Sequence, residues 1–298
     1  MERQVILDLA SYELSQEEKE ILQHPCMKGI ILFSRNYFDK KQLKALTKDI
    51  KKQLPNGIIA IDQEGGRVQR LKEGFSSLPP MLFWGQKFEE NPELTKRELT
   101  TTIKQTCMEL KEVGINLNMI PVLDINHGIS EIIGERSLHQ NSNYVVELAE
   151  TIINALSSCS MPSVGKHFPG HGAVIADSHL SLPVDTRLKE EIFSIDLKPF
   201  QHLATKLDMI MPAHIIYSEI DELPATFSSI WLKQILRNQL NFRGIIISDD
   251  LTMKATETIG SYPARAQLAL EAGVDLLLIC NNLKGSVAVL ESLERNYD

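Results

Sequence analysis

The chain has 298 residues, 43% of them hydrophobic, and carries 31 Lys and Arg against 39 Asp and Glu, a formal charge of −8. That acidic balance argues against a nucleic-acid partner, which would favour a basic stripe. No run approaches the roughly 20 apolar residues that cross a bilayer, and the first apolar stretch, cut by Asp8, is too short for a secretory leader.

Short apolar runs rich in Val and Ile recur along the chain, at 4–9, 29–33, 57–61, 115–120, 163–167, 209–212, 244–248 and 274–280. Amphipathic stretches such as 39–53, 92–113, 142–158 and 229–240 lie between them. Apolar strands alternating with helices indicate a parallel sheet covered on both faces. Eight such units predict an α/β fold of the (β/α)8 barrel type, with a doubly wound open sheet as the alternative. No shift in composition marks a second domain, so residues 1–298 read as one catalytic barrel closed by a last helix over 283–294. Every catalytic group is then expected from the barrel itself. Cys26, Cys107, Cys159 and Cys280 are scattered without a Cys-x-x-Cys pair, which fits reduced thiols in a cytoplasm; a monomer acting on a small carbohydrate is expected.

Barrel active sites sit where strands end and βα loops begin. Unusual polar residues do follow the apolar runs: Ser34-Arg35-Asn36 after the second, Asp62 and Glu64-Gly65-Gly66-Arg67 after the third, Asp124 after the fourth, Lys166-His167 at the end of the fifth, His214 after the sixth, Asp249-Asp250 after the seventh and Asn281-Asn282 after the eighth. The densest stretch is Lys166-His167-Phe168-Pro169-Gly170-His171-Gly172 with Asp177-Ser178-His179, where Gly and Pro open the end of a strand into a loop.

Asp249 ends a fully apolar run, where a carboxylate is costly unless used or paired. It is the candidate nucleophile, and Asp250 the candidate structural residue; the plainer reading makes either a helix cap. His179 can donate and recover a proton near neutral pH, and Asp177 two residues earlier can fix its tautomer. The plainer reading is a loop-stabilising Asp–His bond. Lys166 and His167 suit a hydroxyl-rich ligand, unless one pairs with a carboxylate such as Asp124. Asp62 can accept from two hydroxyls and Arg70 can donate a bidentate pair; an internal salt bridge rivals this, most seriously for Glu64 and Arg67. Arg136 by itself reads as a surface arginine, and His171 as a residue that shapes the loop. His24, His127, His139 and His202 carry no signal.

In order and spacing, these blocks resemble the bacterial β-N-acetylglucosaminidases of glycoside hydrolase family 3. The match rests on Gly29-Ile30-Ile31-Leu32-Phe33-Ser34-Arg35-Asn36-Tyr37, on Ile61-Asp62-Gln63-Glu64-Gly65-Gly66-Arg67-Val68-Gln69-Arg70, on the Lys166 to His179 stretch and on Ser248-Asp249-Asp250-Leu251. The resemblance implies a (β/α)8 barrel, an aspartate nucleophile at Asp249, a histidine acid/base at His179 partnered by Asp177, and sugar binding by Asp62, Arg70, Arg136, Lys166 and His167. It implies removal of terminal β-linked N-acetylglucosamine and, for the single-domain branch, action on 1,6-anhydro-N-acetylmuramyl peptides in peptidoglycan recycling. No metal or cofactor is expected. Glu135, Leu138 and Ala10-Ser11 depart from the family's pattern and bear on the leaving part of the substrate rather than on the reaction. A metal-dependent barrel hydrolase using His167, His171, His179, Asp177 and Asp249 is one alternative, and a non-catalytic amino-sugar-binding barrel another; hydrolysis and phosphorolysis both stay open.

Overall fold

Eight parallel strands form the sheet in the computed structural model, which describes residues 4–175 and 182–295. They are β1 (Val5–Asp8), β2 (Met27–Leu32), β3 (Ile58–Ile61), β4 (Leu117–Asn118), β5 (Val164–Phe168), β6 (Met209–Pro212), β7 (Ile245–Asp250) and β8 (Leu276–Ile279). Each overlaps one of the apolar runs read from the sequence. The hydrogen-bonded order is β4-β3-β2-β1-β8-β7-β6-β5. Its two ends meet: Val122 bridges Lys166 in parallel, and the Val164 N–H donates to the Ile120 carbonyl at 2.7 Å. That seam makes the sheet a barrel and not an open wound sheet.

Helices fill the connections where local chemistry starts and stops them. Ser15 and Glu18 form a reciprocal cap on α1 (Gln16–Leu22), and Asp39 caps α2 (Lys40–Gln53). Met81–Glu90 forms α3, and Asn91 with Pro92 opens α4 (Pro92–Glu112). Further on come α5 (Ser142–Ser158), α6 (Lys189–Ser194), α7 (Lys198–Leu203), α8 (Tyr262–Ala272) and α9 (Leu283–Arg295). The stretch expected as a helix at 229–240 winds as a π-helix over Ile230–Gln239, with Trp231 packed among Phe168, Phe193 and Tyr217. The peptide bonds Ile120–Pro121, Lys166–His167 and Phe168–Pro169 are cis.

Side chains alternate along a strand, so residues two apart share the barrel interior. One apolar cluster fills that interior, and it takes Ile6, Ala60, Val164 and Ile247 from the odd-numbered strands. From the even-numbered side come Ile31, Met119, Met211 and Leu278. Two residues beyond the first set stand Asp8, Asp62, Lys166 and Asp249. The barrel's layering, four side chains from alternate strands in each layer, thus turns from apolar to charged at the C-terminal mouth. No helix of the described residues is long and apolar enough to cross a membrane.

Candidate active site

A cavity of about 280 Å³ opens at that mouth. Its floor is the even-strand layer of Ile31, Met119, Met211 and Leu278, and its walls include Asp62, Arg67, Arg70, Arg136, Lys166, His167 and Asp249. Six of the residues singled out for chemistry therefore share one pocket: Asp62, Arg70, Arg136, Lys166, His167 and Asp249. The other two, Asp177 and His179, lie outside the described residues.

The charged wall is one continuous network. Lys166 Nζ lies 2.7 Å from Asp62 Oδ1 and 2.7 Å from Glu64 Oε1. Arg136 grips Glu64 with two parallel bonds, Nε to Oε2 and Nη2 to Oε1, each 2.8 Å. Arg70 approaches the other oxygen of Asp62 at 3.6 Å. Burial by itself would drive the Glu64 carboxyl upward, but the Arg136 guanidinium and the Lys166 ammonium outweigh it and hold this group well below the usual carboxylate range. Burial would lower Lys166, yet Asp62 and Glu64 raise it, so the ammonium stays charged.

Two expectations are corrected here. Glu64 does not pair within its own loop: its partners are Arg136 and Lys166, while Arg67 donates to the carbonyls of Glu131 and Ile132. Nor is Arg136 a surface arginine, because its side chain is only 12% exposed and its fork is filled by Glu64. The hairpin carrying Glu64 explains both. Gln63–Gly65 pairs antiparallel with Val68–Gln69, which turns residue 64 inward. Gly65 has φ +117°, and a Cβ there would fall 2.3 Å from the Pro79 carbonyl oxygen, so the hairpin can lie on the segment before α3 only with glycine.

Lys166 and His167 would face opposite ways on a regular strand. The register of β5 against β6 shifts between Lys166 and Phe168, and both side chains line the cavity. His167 does pair with Asp124, the plainer reading of that residue: Nδ1 is 2.7 Å from Asp124 Oδ2. The pair lies at the cavity wall, so pairing and a place in the site coexist. Asp124 also receives the backbone N–H groups of His167 at 3.1 Å and His171 at 2.7 Å. Although fully buried, its carboxyl is held below the ordinary value by the charge and hydrogen bond of His167 and by the His171 N–H. The His171 ring is pushed down to about 4 by burial and by His167 beside it, so it is neutral near pH 7. Gly172 lets this loop press onto the chain after β4: a Cβ there would fall 1.7 Å from the Ile125 carbonyl oxygen.

At the end of β7, Asp249 Oδ1 accepts the Asp250 N–H at 2.8 Å. The Asp250 carboxylate points elsewhere, accepting the N–H groups of Thr252 and Cys280 at 3.0 Å each. Asp250 is the structural member of the pair, as read from the sequence. Burial pushes its carboxyl up to about 6. The register of β7 against β8 is irregular between Ile247 and Asp250, the kind of local defect that re-aims a strand-end side chain.

Not every rim residue reaches the cavity. Arg35 pairs with Asp8, Asn36 donates to the Leu9 and Ser11 carbonyls, and the Asn281 N–H donates to Asp8, so these groups weld the ends of β1, β2 and β8 together. His127 and His139, silent in the sequence, hydrogen-bond to Asp196 at 2.8 Å and Glu89 at 3.0 Å. Among the described residues no group of three or more His, Cys, Asp or Glu is placed to hold a metal ion.

Comparison with known proteins agrees with this architecture. Residues 2–297 match the family model described as the glycosyl hydrolase family 3 N-terminal domain. A β-hexosaminidase of Psychromonas ingrahamii is 48% identical over 296 residues, 98% of this chain and 87% of that protein. A β-hexosaminidase of Haemophilus influenzae is 46% identical, covering 97% of this chain and 83% of its own. Among solved structures, native NagZ from Neisseria gonorrhoeae superposes with a TM-score of 0.92 at 42% identity, over 97% of this chain and 85% of that one. The same protein is known in complex with N-trifluoroacetyl-D-glucosamine. This chain belongs to glycosyl hydrolase family 3 and is a glycoside hydrolase of the β-hexosaminidase kind.

Proposed function

We propose that the chain removes terminal, non-reducing β-linked N-acetylglucosamine with retention of configuration, through a covalent glycosyl-aspartate on Asp249. The observation that carries this reading is the position of Asp249 in the cavity, in the same barrel layer as Asp62 and Lys166 and above the same apolar floor. A pyranose ring offers apolar C–H faces and a fringe of hydroxyls. Ile31, Met119, Met211 and Leu278 suit the first, and Asp62, Arg70, Arg136, Lys166 and His167 suit the second.

Asp249 attacks the anomeric carbon through an oxocarbenium-like transition state. His179 protonates the leaving oxygen, then recovers a proton from the water that releases the sugar, with Asp177 holding the imidazole tautomer. Retaining enzymes of the two-carboxylate type hold those groups roughly 5–5.5 Å apart; here a histidine on a Gly- and Pro-bearing loop takes the acid's place. The bound amino-sugar analogue in the gonococcal relative supports the N-acetylglucosamine preference. The finer substrate, 1,6-anhydro-muropeptides in a cytoplasmic recycling route, rests on the family resemblance.

Turnover of an aryl β-N-acetylglucosaminide beside the matching glucoside, with the product anomer read by proton NMR, tests the proposal. It expects the amino sugar to be strongly preferred and the β-anomer to form first. Equal turnover of both substrates, or an α-anomer, contradicts it.

A further inference from the structure

His214 stands just past β6, outside the cavity lining, and the residue is 1% exposed. Its ring stacks on Phe227 at an interplanar angle of 9° and a centroid distance of 5.9 Å. Phe227 is fixed in turn by its neighbour Thr226, whose hydroxyl donates to the carbonyls of Pro212 and Ala213, each at 3.2 Å. The ring is thus held in a rigid slot, and its Nε2 meets the backbone carbonyl oxygen of Asp250 at 3.1 Å. A carbonyl only accepts, so Nε2 carries the proton.

That contact completes a clamp on residue 250. Its carbonyl takes His214 Nε2–H and the Met253 N–H, and its carboxylate takes the Thr252 and Cys280 N–H groups. With carbonyl and side chain both pinned, the direction of its own N–H is set, and that N–H donates to Asp249 Oδ1 at 2.8 Å. We propose that His214 is a positioning residue for the Asp249 carboxylate, acting through the backbone of Asp250 from behind the strand. The inference rests on the reading of Asp249 as nucleophile. Its chemical content is geometric: a reacting carboxylate must be aimed at one carbon, and a displacement of order 1 Å costs up to roughly 100-fold in rate.

The test compares His214→Leu, which lacks a donor, with His214→Gln, whose amide can still donate to the Asp250 carbonyl. Formation of the glycosyl-enzyme is followed by rapid quench with a dinitrophenyl β-N-acetylglucosaminide. His214→Leu is expected to lower the glycosylation rate constant by roughly 10- to 100-fold with KM little changed, and His214→Gln to recover most of it. If both variants merely melt earlier while the folded fraction reacts at the wild-type rate, His214 is structural only and the inference fails. Asp249→Ala run in parallel separates the two readings, because substantial turnover in that variant overturns the nucleophile assignment instead. Should His214→Leu not fold, nitrogen-15 NMR of the wild-type ring decides: a protonated Nε2 supports the clamp, and a bare Nε2 overturns it.

Discussion

Arg136 and Glu64 lie seventy-two residues apart in sequence and meet through two parallel 2.8 Å hydrogen bonds beneath the cavity wall. Glu64 is completely enclosed and also holds Lys166, which in turn holds Asp62. The charges that line the cavity are therefore set by a carboxylate that is not itself part of the lining.

Removing one partner of a buried pair leaves a charge stranded, at a cost of about 3–5 kcal/mol. Arg136→Met is expected to lose that much by urea denaturation. It should also raise KM for aryl N-acetylglucosaminides, because Lys166 is then drawn toward Glu64 and away from Asp62. Arg136→Lys should recover only part of either effect, since an ammonium cannot supply the two-pronged grip.

Acid stability follows from the same network. Glu64 and Asp124 are both held below their ordinary values of 4.5 and 3.8. A depressed carboxyl contributes stability above its unfolded pKa and loses it as pH falls through the folded one. Melting temperature should thus fall as pH drops below about 4.5, and more gently in Glu64→Gln and Asp124→Asn, measured against their own values at pH 7.

Asp250 runs the other way. Its carboxyl is raised from 3.8 to about 6, so its contribution is present below its unfolded pKa and is lost as pH rises through about 6. The stability of Asp250→Asn relative to wild type should climb between pH 4 and 7 by on the order of 2–3 kcal/mol, then level off. Thermal melts of both proteins across that range check it, and a flat difference would contradict the buried, protonatable carboxyl.

The effect of removing the proposed acid should depend on the leaving group. His179→Ala is expected to slow hydrolysis of alkyl or sugar leaving groups by roughly 100- to 10,000-fold, the usual worth of a positioned general acid. A dinitrophenyl group, which departs without a proton, should be affected far less in the glycosylation step. Equal losses on both would remove His179 from that role.

Much of this was legible in the sequence because barrels make it so. Continuous Val- and Ile-rich runs marked all eight strands, and the alternation within them put Asp62, Lys166 and Asp249 in phase with interior residues Ala60, Val164 and Ile247. Glu64 and Arg136 were not legible as a pair, because their contact depends on how a short hairpin folds back across the barrel mouth, and nothing local encodes a partner seventy-two residues away. The two glycines after Glu64 were the available signal, since they permit the tight hairpin that carries it inward. Arg35 and Asn281-Asn282 showed the opposite limit: standing at a strand end places a residue on the rim, but whether it faces the cavity or ties strands together is set by neighbours such as Asp8.

In the proposed reaction Asp249 forms a bond to the anomeric carbon. That step is tested most directly by inactivating the enzyme with a fluorinated N-acetylglucosaminyl fluoride that slows release of the sugar, then locating the adduct by peptide mass spectrometry. A single glycosyl ester on Asp249 is expected. An adduct on another residue, or covalent labelling of the Asp249→Ala variant by the same reagent, would overturn the assignment.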